Sequence, residues 1–446
     1  MAKPNLAYIP ATIGDKVYSI LPNDSVGDFD FDRGTIATRI NAQGLIEQVA
    51  SGVNRLNYSL LDGEVVGCPH LLLEPQRTNK LPYSLDYDND TFFDKINSTI
   101  TRESGIAHDG SNSAYELKDT DDTSNTSHYF KQTNGYKAFI DYDAIKSASV
   151  FIKAGTKKQV QVRLSSAAGT FSYVMGNFDL ETETILTGAS ANAENVAYDL
   201  QNYGNGWYRC IVIGSWTESN VSHSRIEVFT ADTSLASLPN IHNYQGNGLG
   251  TLFVWGEMIE EGSYATSYIK SNSGSPTTRA AETCNGSGNA ATFNDSEGVL
   301  MMEISALAET GRIALNDGTA NNNVRFSYDA GANRIDGIVF NGVNQFVGQY
   351  TLPTQGSFNK ISLKYKPNDF ALWVNGFKVD SLVGSGATFS EGTLSELDFD
   401  AGNGLVPFYG NTKQIQYFDT TDIDLEQLTS WDSFRAMAEG QLYTIE

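Results

Sequence analysis

The sequence has little cysteine. Its three cysteines, Cys68, Cys210 and Cys284, are odd in number, lie far apart and form no CxxC pair. A disulfide framework and a zinc site both need closely patterned cysteines, so the sequence predicts neither. We expect three reduced, buried thiols.

A long apolar run is also missing. No stretch approaches the ~20 residues that span a bilayer, and the N-terminus MAKPNLAYIP lacks the basic segment, apolar core and cleavage site of a signal peptide. We therefore expect no membrane insertion and no export by ordinary secretion. Assembly inside a cell followed by release on lysis would satisfy these observations.

Charge is sparse and mostly of one sign. Only 19% of the residues are Asp, Glu, Lys or Arg, and the formal net charge is −23. Such a surface repels phosphate backbones and anionic lipids, so we expect no nucleic-acid partner and no membrane partner. A neutral glycan or another protein is easier to accommodate, although solubility alone would also account for the acidity.

Common catalytic motifs are absent as well. GxSxG, GxxxxGK[ST] and HExxH do not occur, and the five histidines are scattered. They are His70, His108, His128, His223 and His242. We expect no catalytic residues and no metal bound through histidine.

The sequence does contain many short strands. Runs such as 147–155, 159–166 and 251–259 alternate apolar and polar residues between clusters of Gly, Asn and Ser. The pattern recurs from 298 to 420, where PNDF and VNGF mark tight hairpins. The sequence predicts an all-β protein with a small N-terminal β or irregular arm, two antiparallel β-sandwich (jelly-roll) domains and one short C-terminal helix.

The length of 446 residues predicts roughly three units. We place an anchoring or assembly arm at 1–80, the first sandwich at 81–275 and the second at 276–446. The polar, glycine-rich stretch 271–290 is interpreted as a linker or an ordered crossing strand between the two sandwiches.

The terminal helix is predicted from its cap and its apolar spacing. Asp422 or Asp424 can cap its start, and Gly440 supplies a stop. Apolar residues recur at spacings of three between them. They are Leu425, Leu428, Trp431, Phe434 and Met437.

The arm meets the first sandwich at Pro69–Asn79, which reads PHLLLEPQRTN. Three leucines followed by Glu74 and a proline, which cannot donate to a sheet, predict a buried strand that ends in a turn. Glu74, Arg77 and Asn79 have no partner acid, base or nucleophile nearby in sequence, which favours a structural hinge or assembly anchor. The stretch resembles the LLLEPQRTNL segment near the start of many surface proteins of tailed bacteriophages.

Two further resemblances cover the sandwiches. SAYEL at 113–117, VFIKAG, GWYR and WGEMIEEGSYATSYI at 255–269 resemble the carbohydrate-binding-module-like sandwich of phage spike and fibre proteins. YKPNDFALWVNG, LSELDFDAGNG and the final YFDT resemble concanavalin A-like, laminin-G-like lectin domains.

Together the resemblances imply a structural protein of the virion surface, assembled in the host cytoplasm. They imply a capsid (head) fibre or a tail fibre, a homotrimer, and contacts with other capsid or tail proteins. They also imply that the outward sandwiches bind host cell-surface polysaccharide. A bacterial or prophage-borne glycan-binding adhesin is an alternative.

A second alternative is a polysaccharide-degrading glycoside hydrolase on the lectin-like scaffold. Laminarinase-type glucanases of that fold carry ExDxxE on one strand, so that two acids face one cleft. Here Glu396, Asp398 and Asp400 are followed by Ala401, which stands where the acid/base glutamate belongs. We favour a strand with its acids in solvent and with Leu397 and Phe399 in the core.

Glycan binding needs an aromatic platform beside a few polar groups. Trp216, Trp255 and Trp373 are the candidates by type and place, although a tryptophan in a sandwich is more often a core residue. The acidic loop with Asp86, Asp88 and Asp90 could hold a structural calcium, with a solvated turn as the default. No other cofactor is expected.

Overall fold

Short antiparallel strands make up most of the computed structural model, which describes residues 3–13, 16–102, 105–232, 235 and 240–431. Strands β1–β8 run over Leu6–Ile13, Lys16–Leu21, Phe29–Asp32, Ala37–Ile40, Ile46–Val49, Leu56–Leu61, Glu64–Leu73 and Arg77–Asn79. Strands β9–β21 run over Phe93–Ile96, Ser98–Arg102, Tyr115–Asp119, Tyr129–Gln132, Ala138–Phe139, Lys146–Ala154, Gln159–Ser166, Tyr173–Asp179, Thr184–Ala191, Ala193–Gly204, Trp207–Trp216, His223–Thr230 and Thr251–Glu261. Strands β22–β33 run over Thr277–Arg279, Thr283–Asn285, Gly298–Ala306, Gly311–Asn316, Asn322–Asp329, Arg334–Asn341, Val343–Thr351, Asn359–Tyr365, Asp369–Val374, Phe377–Val383, Glu396–Asp398 and Gly410–Phe418, and helix α1 covers Leu425–Thr429.

Strands β9–β21 form a first sandwich, the middle sandwich. One sheet has the order β10-β11-β21-β14-β19-β18, and the other has the order β17-β16-β15-β20-β12-β9 with β13 beside β20. Alternate side chains of both sheets, such as Val150, Val162 and Val228, are fully buried in one core between them. The hydrophobic alternation therefore decides which face of each strand turns inward.

The second sandwich, the C-terminal sandwich, has a large sheet and a small one. The large sheet has the order β23-β3-β2-β1-β33-β24-β29-β30-β31, with β7 beside β33 and β6 beside β7. The small sheet has the order β28-β27-β26-β25-β32. Leu300, Leu315 and Leu363 lie in the core between them. The predicted all-β class with two antiparallel sandwiches is confirmed.

The N-terminal strands extend the sheet of the C-terminal sandwich. β1 pairs with β33, with Leu6 opposite Tyr417 and Tyr8 opposite Ile415. The side chains of Leu6 and Tyr8 are buried in the core of that sandwich. Their neighbour β33 lies more than 390 residues further along the sequence, and local alternation cannot indicate such a partner. An assembly role for 1–80 and the sandwich bounds stay predictions.

The stretch between the sandwiches is ordered, and we call its residues 277–285, which include β22 and β23, the crossing strand. β22 pairs with β8, with Thr277 opposite Asn79, and β23 pairs with β3, with Cys284 opposite Phe31. Cys210 and Cys284 are free and buried as expected. Cys68 is also free but exposed, because it lies on the outward part of β7, so its expected burial is wrong.

The C-terminal helix begins where the sequence predicts. Asp424 caps it by accepting a hydrogen bond from the Gln427 backbone N–H at 3.0 Å, and Leu425 and Leu428 pack against Val299 on the outer side of the large sheet. The helix ends at Thr429, because the Ser430 backbone is extended, so its predicted continuation through Trp431 is wrong, while Phe434, Met437 and Gly440 lie outside the described residues. Within the described ranges, no helix has the length and apolar character needed to cross a membrane.

Five charged residues are buried where the two sandwiches and the N-terminal strands meet. This junction ion cluster consists of Arg33, Arg55, Glu74, Arg279 and Glu282, all at most 4% exposed. Its centre is the Glu282 carboxylate, which accepts from Arg33 Nη1 at 2.7 Å, from Arg55 Nε at 2.8 Å and from Arg55 Nη2. The same carboxylate also accepts the Glu74 backbone N–H at 2.8 Å.

Glu74 forms the second anionic centre of the cluster. Its carboxylate lies 2.8 Å from Arg55 Nη1 and 2.8 Å from Arg279 Nη1, and it accepts the Ser267 backbone N–H at 2.8 Å. Burial alone would raise the pKa of Glu74, but Arg279 and Arg55 outweigh it and lower the pKa to about 2. The cluster therefore ties the N-terminal strands to the end of the middle sandwich and to the crossing strand.

The β6–β7 hairpin also touches the middle sandwich at its tip. A Cβ built on Gly204 would collide with the carbonyl oxygen of Gly63, and Gly204 has φ +81. Only two glycines allow the backbones to approach this closely. The hairpin is thus held at its base by Arg55 and Glu74 and at its tip by this glycine contact.

The cluster predicts a large effect for Glu282→Gln. The amide keeps the shape of the side chain but removes the carboxylate that pairs with Arg33 and leaves Arg55 with Glu74 alone. We expect the free energy of unfolding to fall by about 3–5 kcal/mol. Urea titration followed by intrinsic fluorescence measures it.

Glu261→Gln is the control, since Glu261 pairs with Lys80 at 2.7 Å and its side chain is 49% exposed. It should cost less than about 1 kcal/mol. Equal losses in the two variants would contradict a special role for the buried cluster.

The glycine contact predicts that Gly204→Ala loosens the hairpin. The added methyl group should cost about 1–3 kcal/mol and lower the hydrogen-exchange protection of β6 and β7. Gly392→Ala is matched, because Gly392 also has φ +81 but an added Cβ would meet nothing within 4 Å. Unchanged protection in β6 and β7 beside a normal Gly392→Ala protein would show that the contact is not needed.

Candidate functional site

A cleft of about 490 Å³ lies between the β6–β7 hairpin and the two sandwiches. We call it the junction cleft. One wall comes from residues 57–62 of the hairpin. The middle sandwich contributes Glu183, 200–203 and Tyr208, and the C-terminal sandwich contributes Gly356, Phe358 and Asn411. Ile40 and His70 complete the lining. The site therefore combines three parts of the chain.

Two tight turns position its walls. β6 and β7 are joined by Asp62 and Gly63, with φ of 50° and 77°, and β18 and β19 are joined by Asn205 and Gly206, with φ of 55° and 78°. Asp-Gly and Asn-Gly adopt these conformations readily, and they suit the twist of a two-residue hairpin. The turns set the tip of each hairpin at the edge of the cleft.

Glu183 organises the polar wall of the cleft. Its carboxylate accepts from Tyr208 Oη at 3.0 Å and from Asn202 Nδ2 at 3.0 Å. Burial, with this hydrogen bond and the charge of Glu183, raises the pKa of Tyr208 to about 12. Tyr208 is therefore a neutral donor at any physiological pH.

Below this wall the cleft is lined by His70 and Phe358. Asn57 Nδ2 donates to His70 Nε2 at 3.1 Å, and the His70 and Phe358 rings meet edge to face at 5.5 Å. Burial, with the charge of Lys413, lowers the pKa of His70 to about 3. The imidazole is thus neutral, and it adds no positive charge to the cleft.

These side chains suit the binding of a polar ring better than a reaction on it. Tyr58 and Tyr203 are half-buried in the lining, and Asn202 and Gln201 stand beside them. Tyr203 is fixed from behind by Phe151, at 5.0 Å between ring centroids. Aromatic faces beside a few amide and carboxylate groups are typical of sites that orient a polar ligand.

Two smaller cavities adjoin the cleft beneath the β4–β5 hairpin. The inner cavity, of about 160 Å³, is lined by Thr38, Tyr203 and Arg209 among others. The far cavity, of about 260 Å³, is lined by Trp255, Tyr268, Asp109, Glu47 and Lys270 among others.

The three predicted tryptophans lie in different places. Trp216 is fully buried, with Nε1 donating to Ser224 Oγ at 3.2 Å, so it offers no face to a sugar. Trp255 is 2% exposed and borders the far cavity. Trp373 is half-buried beside α1, on the outer side of the large sheet. The structure does not bring these three residues together.

Glu74, Arg77 and Asn79 lie at the junction. Glu74 belongs to the ion cluster, and Arg77 pairs with Glu309 of the C-terminal sandwich. Asn79 Nδ2 donates to the backbone oxygens of Glu257 at 3.2 Å and of Ile269 at 2.9 Å, both in the middle sandwich. All three join structural units, while their role in assembly stays a prediction.

The acidic loop shows other partners for its side chains. Asp86 Oδ1 accepts from Tyr115 Oη at 3.4 Å, and Asp90 pairs with Lys95, while Asp88 is exposed. In the part of the chain that the structure describes, no group of three His, Cys, Asp or Glu side chains is arranged to hold a metal ion. A calcium ion at this loop stays a prediction.

Two acids at the end of β32 and just after it are buried, so the expectation that they lie in solvent is wrong. Asp398 and Asp400 are 5% and 3% exposed. Asp398 accepts from Asn316 Nδ2 at 2.8 Å and from the Gly286 N–H at 2.7 Å. Burial raises the pKa of Asp398 and also that of Glu396. The neighbouring crossing strand covers these acids, whereas Leu397 and Phe399 are buried as predicted.

Sequence reasoning missed the junction cleft because its residues come from distant segments. Two local signals were available, since Asp62-Gly63 and Asn205-Gly206 are strong hairpin motifs. They predict turns but cannot show that the turns meet. The cleft uses tyrosines, whereas the sequence analysis favoured tryptophans.

Comparison with known proteins gives structural likenesses only. No protein-family model matches the chain. No curated protein matches it either.

Solved structures give partial matches. The CBM40 of the Ruminococcus gnavus IT-sialidase, bound to α2,3 sialyllactose, is 15% identical with a TM-score of 0.28 and covers 32% of this chain and 86% of its own. Domains LG4-5 of the mouse laminin α1 chain are 8% identical with a TM-score of 0.23 and cover 64% of this chain and 85% of their own. Trypanosoma rangeli sialidase is 10% identical with a TM-score of 0.25 and covers 94% and 78%. The neighbours thus include a carbohydrate-binding module and laminin LG domains, and at these scores they carry no conclusion about what this chain binds.

Proposed function

We propose that this chain is a non-enzymatic structural protein that binds glycans in the junction cleft. The single observation that carries the proposal is the lining of the cleft, where Tyr58 and Tyr203 stand beside Asn202, Gln201 and Glu183. A pyranose offers an apolar face to an aromatic ring and hydroxyl groups to amides and carboxylates. The cleft supplies both kinds of group.

The setting of the cleft supports a role in a larger structure. The stretch Pro69–Asn79, which resembles phage surface proteins, lies at the junction, and Glu74, Arg77 and Asn79 join the units there. We place the chain at the virion surface of a tailed phage, as a head or tail fibre. In this proposal it is a homotrimer that contacts other capsid or tail proteins and host cell-surface polysaccharide.

The geometry of β32 does not favour a hydrolase. Asp398 is buried and held by two N–H donors, and Ala401 stands at the place of the acid/base residue. An inverting or retaining pair needs two carboxyl groups facing an open cleft. An adhesin would use the same cleft, and a gene position beside capsid or tail genes would separate it from a virion fibre.

The first prediction from this proposal concerns Tyr58→Ala. Loss of the half-buried ring should weaken the binding of a neutral oligosaccharide by about five- to thirtyfold, since an aromatic face contributes about 1–2 kcal/mol. The probes are malto-, cello- and N-acetylchito-oligosaccharides on an array, followed by calorimetry with the tightest binder.

Phe377→Ala is the control for this variant. Phe377 is 73% exposed and lies on β31, outside the cleft lining. Its removal should leave the affinity unchanged. A blank array for the native chain, or equal effects of both variants, would contradict glycan binding in the junction cleft.

The second prediction concerns the assembly state. A homotrimer should sediment with three times the 48.6 kDa mass of the chain. Analytical ultracentrifugation at micromolar concentration measures it. A stable monomer would contradict the trimeric fibre and leave glycan binding by the single chain in place.

A further inference from the structure

The junction cleft adjoins two smaller cavities, and we call the three together the depression, with the junction cleft as its wide end. It shares Ile40, Asn57, Gln201 and Tyr203 with the inner cavity. The inner cavity in turn shares Thr38, Ile46 and Tyr268 with the far cavity. Neighbouring cavities that share walls offer successive places for the units of one extended ligand.

Both ends of this depression have aromatic groups. Tyr58 and Tyr203 line the junction cleft, and Trp255 and Tyr268 line the far cavity, where their ring centroids are 4.7 Å apart. Amide groups of Asn57 and Gln201 lie between the ends. The repeated combination of ring and amide suits a chain of similar polar rings.

The charge at the wide end is negative. Asp62 and Glu183 are exposed there, while burial and Lys413 lower the pKa of His70 to about 3 and keep it neutral. Lys413 Nζ lies 4.0 Å from the ring centroid of Phe358 and 3.7 Å from Glu303. Two carboxylates within a Debye length of about 8 Å repel an anionic ligand at physiological ionic strength.

Cations further along the depression are matched in number by carboxylates, since Arg39, Arg209 and Lys270 line it together with Glu47, Glu74 and Asp109. Arg39 Nη2 pairs with Glu47 at 2.9 Å, and Arg209 Nη1 donates to the Thr266 backbone oxygen at 2.7 Å. Lys270 shares the far cavity with Asp109 and Glu47. The lining as a whole therefore has no excess of positive charge to receive uronates or sialates.

We infer that the three cavities form one groove for an extended, neutral oligosaccharide, and that Glu183 and Asp62 exclude acidic glycans from it. This inference rests on the proposed glycan-binding function and names the ligand class. Glu183 orients Tyr208 and Asn202 toward the ligand as well as carrying the charge. Asp62, at the tip of the hairpin, acts by charge alone.

The test compares neutral chains with their acidic forms. Malto-, cello- and N-acetylchito-oligosaccharides of two to six units are measured by calorimetry beside the same chains oxidised to uronates at C6. We expect affinity to rise at least about tenfold from the disaccharide to the tetrasaccharide, and each acidic chain to bind at least about tenfold more weakly than its neutral parent.

The double variant Glu183→Gln with Asp62→Asn removes both charges and one acceptor, and Asp62→Asn alone removes a charge without touching the hydrogen bonds of Tyr208 and Asn202. The amide oxygen of Gln can still accept from Tyr208, and Asn tolerates the positive φ of 50° at position 62. We expect the preference for neutral chains to shrink by at least about fivefold. Glu391→Gln removes an exposed carboxylate outside the groove and should leave the preference unchanged.

The possible outcomes distinguish a failure of this inference from a failure of the proposed glycan binding. Acidic chains that bind as tightly as neutral ones, or an undiminished preference in a folded double variant, would overturn the exclusion of acidic glycans while glycan binding stands. Equal affinities for two and six units would overturn the extended groove. Failure of every chain, neutral and acidic, would overturn the proposed function and this inference with it.

Discussion

The structure depends on one buried carboxylate. Glu282 comes from the crossing strand and receives Arg33 and Arg55 from the N-terminal strands and the backbone N–H of Glu74. Burying these charges is costly unless every partner is in place, since an isolated buried ion loses its hydration. The network therefore forms only when the crossing strand and the N-terminal strands are docked together. Glu74 accepts a hydrogen bond from the Ser267 backbone N–H, so the middle sandwich must also be docked for the network to be complete.

Alternation in the sequence predicted the strands well but not their neighbours. The strands at 147–155, 159–166 and 251–259 correspond to β14, β15 and β21. The VNGF turn has Asn375 and Gly376 at φ of 51° and 87°, as a two-residue hairpin requires. Alternation states which face of a strand is buried, and it does not state which strand lies beside it. The pairing of β1 with β33 was for that reason invisible in the sequence.

The candidate site was harder to predict, for two physical reasons. Its walls come from segments that only tertiary docking brings together, such as Asp62 and Glu183. Large aromatic residues also bury the most apolar area, so the tryptophans of a sandwich tend to lie in its core, and Trp216 is fully buried there. Tyrosine keeps a polar end, and Tyr208 can lie at a surface cleft with its hydroxyl bound to Glu183. A search for tyrosines beside Asp-Gly and Asn-Gly turns would have pointed nearer to the cleft.

The junction ion cluster and the junction cleft are linked by the β6–β7 hairpin. Arg55 immediately precedes β6 and Glu74 immediately follows β7, so the cluster fixes the base of the hairpin that forms one cleft wall. Gly63 and Gly204 fix its tip against the middle sandwich. A wall held at both ends has little freedom left to lose when a ligand arrives. Since the ordering of loops subtracts from binding free energy, a flexible ligand such as an oligosaccharide gains most from a site whose shape is already set.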